Sequence, residues 1–318
     1  MSPKNPEKAR NVGGFGPFGG ISPVVILAAA ALIVFILLLI VAASFSGGLE
    51  GYASPSIAII PIKGEISNSD DGALSGTLSA NEAIGFIDEA DKDPRVGAIF
   101  LDIDSPGGEI VASKQLAYKV HDAKKPVYAY INSVGASGGY YIAAASDYVM
   151  ADEDSITGSI GVISILLNVQ ELMQKIGVKA TVLKEGNLKD MGSPFKEPTA
   201  DENAVFEKIL SQAFNNFKRD VLSFRQGKLS PSMLDEIADG RVLTGRQAFD
   251  ANLLDGLTTR EKALQKSAEL AGLKNPGHIQ YGRRELSFSD LFFSAGKSFF
   301  SGAMSGAGAQ ANAQVSIR

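Results

Sequence analysis

The chain has 318 residues and a formal net charge of −5, with no cysteine and only two histidines, His121 and His278. That length can bury a sizeable core in one or two domains, and the scattered basic residues do not form the footprint of a nucleic-acid binder. Without cysteine there is no thiol nucleophile, disulfide framework or cysteine metal site, and two isolated histidines cannot make an HExxH zinc pair. Neither a metal nor a cofactor is expected.

Residues 1–22 are polar and glycine-rich, with Lys4, Lys8 and Arg10, and read as a flexible tail. The span 23–46 contains an uncharged apolar run from Val24 to Phe45, close to the roughly 20 residues that a bilayer-crossing helix needs. A signal-peptide core is usually shorter, at about 7 to 15 apolar residues, so a retained transmembrane anchor is expected. Lysine and arginine precede it and Glu50 comes after it, which by the positive-inside rule leaves the N-terminus in the cytoplasm and the bulk of the chain outside the cytoplasmic membrane. Residues 47–56 form a Gly, Ser and Pro linker to a domain over 57–284.

Within that domain, Ile57–Ile62 and Val96–Ile103 read as buried strands. Ala80–Ala90 carries apolar residues at helical spacing, and Ser67–Ser79 is a polar loop able to cap a site. The sharp turn DSPGG (Asp104–Gly108) precedes a helical run to Val120. The strand-like PVYAYI (Pro126–Ile131) leads into NSVGASGGYY and then a small-residue helix. A strand at Tyr148–Ala151, the turn SITGSIGV, a helix around Val169–Ile176 and a strand at Lys179–Leu183 come next. Thr199 or Asp201 caps a long amphipathic helix to about Arg225, and a helical pair surrounds Asp239–Leu257. Alternating strands and helices predict an α/β fold, a mostly parallel sheet with flanking helices and sites at strand C-terminal ends. From about Glu285 the chain is rich in phenylalanine, a segment expected to dock on the body or on a neighbouring subunit, or alternatively to lie on the membrane; the last dozen residues read as disordered.

Ser137 lies at the centre of NSVGASGGYY. A serine at a strand-to-helix turn exposes its hydroxyl, and the Gly138 amide at the helix N-terminus favours an anion. With histidine and cysteine unavailable, the base for such a serine would be lysine. A lysine amine is protonated at neutral pH unless burial depresses its pKa, and Ser-Lys pairs are an established solution. Lys184 and Lys189 both lie just after a predicted buried strand, and the residues alone do not choose between them.

The ordered set DSPGG, ASGGYY, TGSIGV, KEGNLKDMGSPF and DGRVLTGRQA, behind a single apolar span, resembles the signal peptide peptidase A family over about Ile57–Leu257. These are membrane-bound serine peptidases with the Clp-protease/crotonase fold, and the chain is similar to their short, single-unit branch. The resemblance implies that Ser137 is the nucleophile, Lys189 the general base, Ser159 a residue that orients the lysine, and the amides of Gly108 and Gly138 the oxyanion hole. Glu185 departs from the small residue that often comes after Lys184 in the family. The resemblance also implies a homo-oligomeric ring of octamer type in which serine and lysine come from adjacent subunits, the alternative being that both act within one chain, which the sequence does not separate; it implies substrates that are remnant signal peptides and other apolar peptides. The alternatives are a crotonase-type acyl-CoA enzyme, for which DSPGG also suits, and a non-catalytic membrane scaffold.

Overall fold

The computed structural model describes residues 31–38, 55–69 and 77–282. The chain divides into two compact units, residues 1–53 and 54–318. In the first, residues 31–38 are helical with exposed apolar side chains. Among the described residues no helix is long and apolar enough to cross a membrane. The remainder of the expected anchor, the N-terminal tail, most of the linker and the phenylalanine-rich segment lie outside the described residues.

The second unit is built on an eight-stranded sheet. Along it run β10 (His278–Gln280), β1 (Ser56–Lys63), β4 (Val96–Ser105), β5 (Val127–Ala136), β6 (Tyr148–Ala151) and β9 (Gly256–Leu257), all parallel. The two remaining strands, β7 (Ile156–Gly158) and β8 (Val242–Thr244), are antiparallel to each other, and β7 joins β5. A separate pair, β2 (Glu65–Ser67) and β3 (Thr77–Ser79), is also parallel. The mostly parallel α/β expectation therefore holds.

Strand period explains why the central strands are apolar throughout. Ala58, Ile60 and Ile62 of β1, Ile99, Leu101 and Ile103 of β4, and Val127, Ala129 and Ile131 of β5 face one core. That core is covered by α1 (Ala80–Lys92), α2 (Ile110–His121), α3 (Gly138–Ala144) and part of α5 (Ala200–Phe224). The alternate residues Ile57, Ile59, Ala98, Phe100, Tyr128 and Tyr130 face a second core closed by Ala263 and Leu264 of α8 (Arg260–Leu270). Successive side chains point to opposite faces, so a strand covered on both sides has no polar face to offer. Asp102 falls on the second face, where its carboxylate accepts a bond from Arg260 Nε at 3.0 Å.

Several expectations are corrected. Lys179–Leu183 forms no strand: Val182 and Leu183 are exposed, with no described segment of this chain beside them to complete a ladder. The turn SITGSIGV contains the short strand β7. The helical pair expected around Asp239–Leu257 is one helix, α7 (Gly245–Asp250), flanked by β8 and β9. The strand leading to Ser137 runs on to Ala136. The other helices are α4 (Gln170–Lys175) and α6 (Pro231–Ile237). Thr199 does cap α5, through a capping box with Glu202.

Below the sheet, Arg225 is 1% exposed and forms a two-pronged ion pair with Asp255, Nη1 to Oδ2 at 2.6 Å and Nη2 to Oδ1 at 3.1 Å. Asp255 also accepts the Val149 amide of β6 at 2.8 Å, which ties the end of α5 to the sheet. Burial pushes the Asp255 carboxyl up, but Arg225, Val149 and Lys228 outweigh it and hold the group below its ordinary value. Removing Arg225 leaves the carboxylate only the more exposed Lys228, 3.0 Å away, so Arg225→Met is expected to destabilise the fold by about 3 kcal/mol in a urea titration.

Candidate active site

The site forms where β4 and β5 end. Up to Ile103↔Ile131 the two strands run in simple register, and the next pair is Ser105↔Gly135. The extra residues in β5 are a bulge, which bends a strand and re-aims the residues beyond it. At this point β5 leaves β6 and pairs with β7 through Val134↔Ile156 and Ala136↔Gly158. Side chains satisfy the displaced backbone: Asp104 Oδ1 accepts the Val134 amide at 3.1 Å, Ser155 Oγ donates to the Ile131 carbonyl at 3.1 Å, and Thr157 Oγ1 donates to the Gly135 carbonyl at 2.7 Å.

Ser137 comes directly after this strand, with φ 52° and ψ −116°. A positive φ is uncommon for a residue with a side chain and costs on the order of 1–3 kcal/mol, a strain that persists only where the surroundings enforce it. Here they do so from both sides. The Ser137 amide donates to the Gly158 carbonyl at 2.9 Å, and its carbonyl accepts the Tyr141 amide at 2.9 Å, the first turn of α3. The side chain is half-buried, and its hydroxyl bonds to no described residue.

The DSPGG turn is held against this serine. Ser105 Oγ donates to the Gly64 carbonyl at 2.6 Å and accepts the Gly107 amide at 3.2 Å. Ile66 of β2 bridges Gly108: its amide donates to the Gly107 carbonyl at 2.9 Å and its carbonyl accepts the Glu109 amide at 2.8 Å. In such a parallel bridge the groups of Gly108 itself point away from β2. The Gly108 and Gly138 amides donate to no other described backbone group. Glu109 adds a clamp, accepting Ser67 Oγ at 2.9 Å and the Asn68 amide at 3.0 Å. Gly107, which the motifs alone do not single out, has φ +104°, and a methyl group there would fall 2.7 Å from the Gly138 nitrogen. Only glycine lets the two turns cross this closely.

Ser137, Gly138 and Gly108 open onto one cavity of about 650 Å³ between α2, α3 and α5. Its walls include Ile110, Val111 and Tyr118 of α2, Tyr141 of α3, and Ile209 and Phe217 of α5. Tyr141 stacks on Phe217 with ring centroids 4.4 Å apart, and its hydroxyl donates to the buried Asp220. Burial pushes the Tyr141 phenol well above its usual range, and the Asp220 carboxylate adds to that, so the ring is a fixed neutral wall. By its spacing the apolar stripe of α5 reads as core. Ile209 is instead exposed and walls the cavity, and the apolar residues of α5 that are buried, Phe217 and Val221, lie in its last third.

Ser159 has φ 50° and is half-buried, its amide donating to the Arg241 carbonyl at 2.8 Å. The Ala136↔Gly158 register sets it beside Ser137. Lys189 is not brought to Ser137 within this chain. It is exposed in a turn, its amide donating to the Gly186 carbonyl at 3.1 Å, and it does not line the cavity. Its ammonium makes no ion pair or hydrogen bond with the described residues, whereas Lys184 Nζ donates to the Asn187 carbonyl at 2.8 Å and pairs with Asp190. The stretch leading to it carries exposed apolar residues, Ile163 at 82% and Leu183 at 93% among them.

The region that builds this site is shared with known peptidases. Peptidase family S49 matches residues 119–274, a span that holds Ser137, Ser159 and Lys189. A provisionally named protease of Methanocaldococcus jannaschii is 39% identical over 204 residues, 64% of this chain and 65% of that protein. A provisionally named signal peptide peptidase of Enterococcus faecium is 34% identical over 73% of this chain and 68% of its own length. A provisionally named protease of Synechocystis is 36% identical over 68% and 75%. The chain thus spans about two thirds to three quarters of the length of these relatives. At this identity and coverage the chain belongs to peptidase family S49 and is a serine peptidase.

Proposed function

We propose that the chain is a membrane-anchored endopeptidase of the Clp-protease/crotonase type that cleaves apolar peptides with a Ser-Lys dyad. The observation that carries this reading is a strained Ser137 whose hydroxyl has no partner among the described residues, flanked by the Gly108 and Gly138 amides, which are likewise unpaired among the described residues, at the mouth of a mostly apolar cavity. Ser137 Oγ attacks the scissile carbonyl while its proton passes to the neutral amine of Lys189. The carbonyl oxygen becomes an anion held by the two amides, and donors of this kind are worth about 3 to 4 kcal/mol each. Collapse expels the leaving amine, which takes the proton from the Lys189 ammonium. Water then cleaves the acyl-serine by the same route in reverse, and Ser159 orients the lysine.

A neighbouring copy supplies Lys189. The lysine is exposed and outside its own cavity, on a segment whose apolar residues lack cover among the described residues. Packing that segment on a second copy buries those residues and desolvates the base, the condition under which a lysine accepts a proton. Repeated around a closed ring, this makes a homo-oligomer. The apolar span at 23–46 anchors each copy, with the catalytic unit on the outer face of the cytoplasmic membrane, where remnant signal peptides are substrates.

A fluorophosphonate probe tests the nucleophile in the full-length chain in detergent. One label is expected, mapped by mass spectrometry to the peptide holding Ser137 and lost in Ser137→Ala. A label elsewhere, or none on a chain that hydrolyses peptides, would sink the assignment.

A further inference from the structure

The cavity beside Ser137 is lined mostly by apolar side chains, with neutral polar groups such as Gln115, Gln212 and Asn216 and one cation. Lys114 lies on the α2 wall between Ile110 and Tyr118, at the four-residue spacing that puts all three on one helix face. Its Nζ is 5.6 Å from the Tyr118 ring centroid. Among the described residues lining the cavity, Lys114 alone carries a charge.

Its ion-pair partner Asp220 is shared with a second cation, Arg219. Asp220 Oδ2 is 3.7 Å from Lys114 Nζ, beyond good hydrogen-bond reach, and that carboxylate is 2% exposed. It is already engaged by the Tyr141 hydroxyl and by Arg219, whose Nε and Nη2 donate at 3.0 and 2.8 Å. Two cations share one carboxylate, so one positive charge remains at the wall. The Lys114 side chain is 37% exposed at the open mouth of the cavity, so water screens part of that charge.

We propose that Lys114 sets the charge preference of this pocket, admitting apolar and acidic substrate side chains and rejecting basic ones. The inference rests on reading the cavity as the substrate pocket. On that reading the residue whose carbonyl is attacked carries its side chain into the cavity, which Ser137 and Gly138 help to line. Leucine or phenylalanine packs on Tyr118, Tyr141 and Phe217. A glutamate meets the ammonium donors that Asp220 leaves unused. A lysine or arginine meets a like charge and no carboxylate among the described lining residues, which is the repulsive half of specificity.

The test uses the full-length protein in detergent and three quenched peptides that differ only in the residue before the scissile bond: Leu, Glu or Lys. In the wild type, kcat/KM for the Lys peptide is expected to fall at least about tenfold below the other two. Lys114→Met should raise the Lys-to-Leu ratio about tenfold, and Lys114→Glu should reverse the order of the Lys and Glu peptides. A Lys-to-Leu ratio unchanged in both variants overturns the proposal. So does frequent cleavage after lysine or arginine when the wild type digests an unfolded protein, a measurement that needs no variant. A wild type that cleaves none of the three peptides overturns the reading of the cavity, and this inference with it.

Discussion

Mixing two inactive variants should restore activity. Ser137→Ala alone and Lys189→Ala alone are each expected to lower peptide hydrolysis by about 10³-fold or more, because nucleophile and base act as a unit. Lys189 is an exposed turn residue, so its loss should leave folding intact. When the two variants exchange subunits, a site that takes its serine from one copy and its lysine from the next is complete wherever intact partners meet. In an evenly mixed ring about a quarter of the wild-type rate is expected, since half the copies keep the serine and half of their neighbours the lysine. The measurement is cleavage of an apolar signal-peptide mimic, with exchange verified by differently tagged chains. No recovery after verified exchange would place serine and lysine in the same chain.

On the proposed mechanism, Gly108→Ala is expected to lower kcat by about 10² to 10³ with a smaller change in KM, because it misplaces one of the two proposed oxyanion donors. A methyl group built on Gly108 would fall 2.0 Å from the Ile66 carbonyl oxygen and 2.5 Å from its nitrogen. Both atoms are backbone and are fixed in the bridge to β2, so the turn itself must move and carry the Gly108 amide away from Ser137. Gly85→Ala in α1 is the matched control, because a methyl group there meets nothing within 4 Å. It should leave catalysis unchanged and stabilise the helix by about 0.5 to 1 kcal/mol. Equal losses of kcat in both variants would mean that the Gly108 effect is unfolding, which a thermal melt would show directly.

The parts of this fold that could be read in the chain are those written in local pattern. β1, β4 and β5 are continuous apolar runs because both faces of the sheet are covered. The capping box at Thr199 marks the start of α5. The elements that escaped had no local pattern to read. β7 is three residues long and exists because the bulge in β5 frees an edge for it. Val182 and Leu183 have the composition of a strand, but composition does not supply a partner.

The same division runs through the site. The sequence by itself determined the residue types: with no cysteine and no well-placed histidine, a Gly-flanked serine and a lysine remain for the chemistry, and glycines stand at both turns. Only the tertiary structure decided what they become. The bulge and the switch of β5 from β6 to β7 force Ser137 into a positive φ, and the Ile66 bridge aims Gly108 at the same place. The walls and charge of the cavity come from α2, α3 and α5, elements separated by up to about a hundred residues that meet only when the sheet buries their apolar faces. The physical reason is range. Capping and periodicity act over a few residues and are legible in them, whereas register, crossing and enclosure depend on contacts between distant segments that no local pattern encodes.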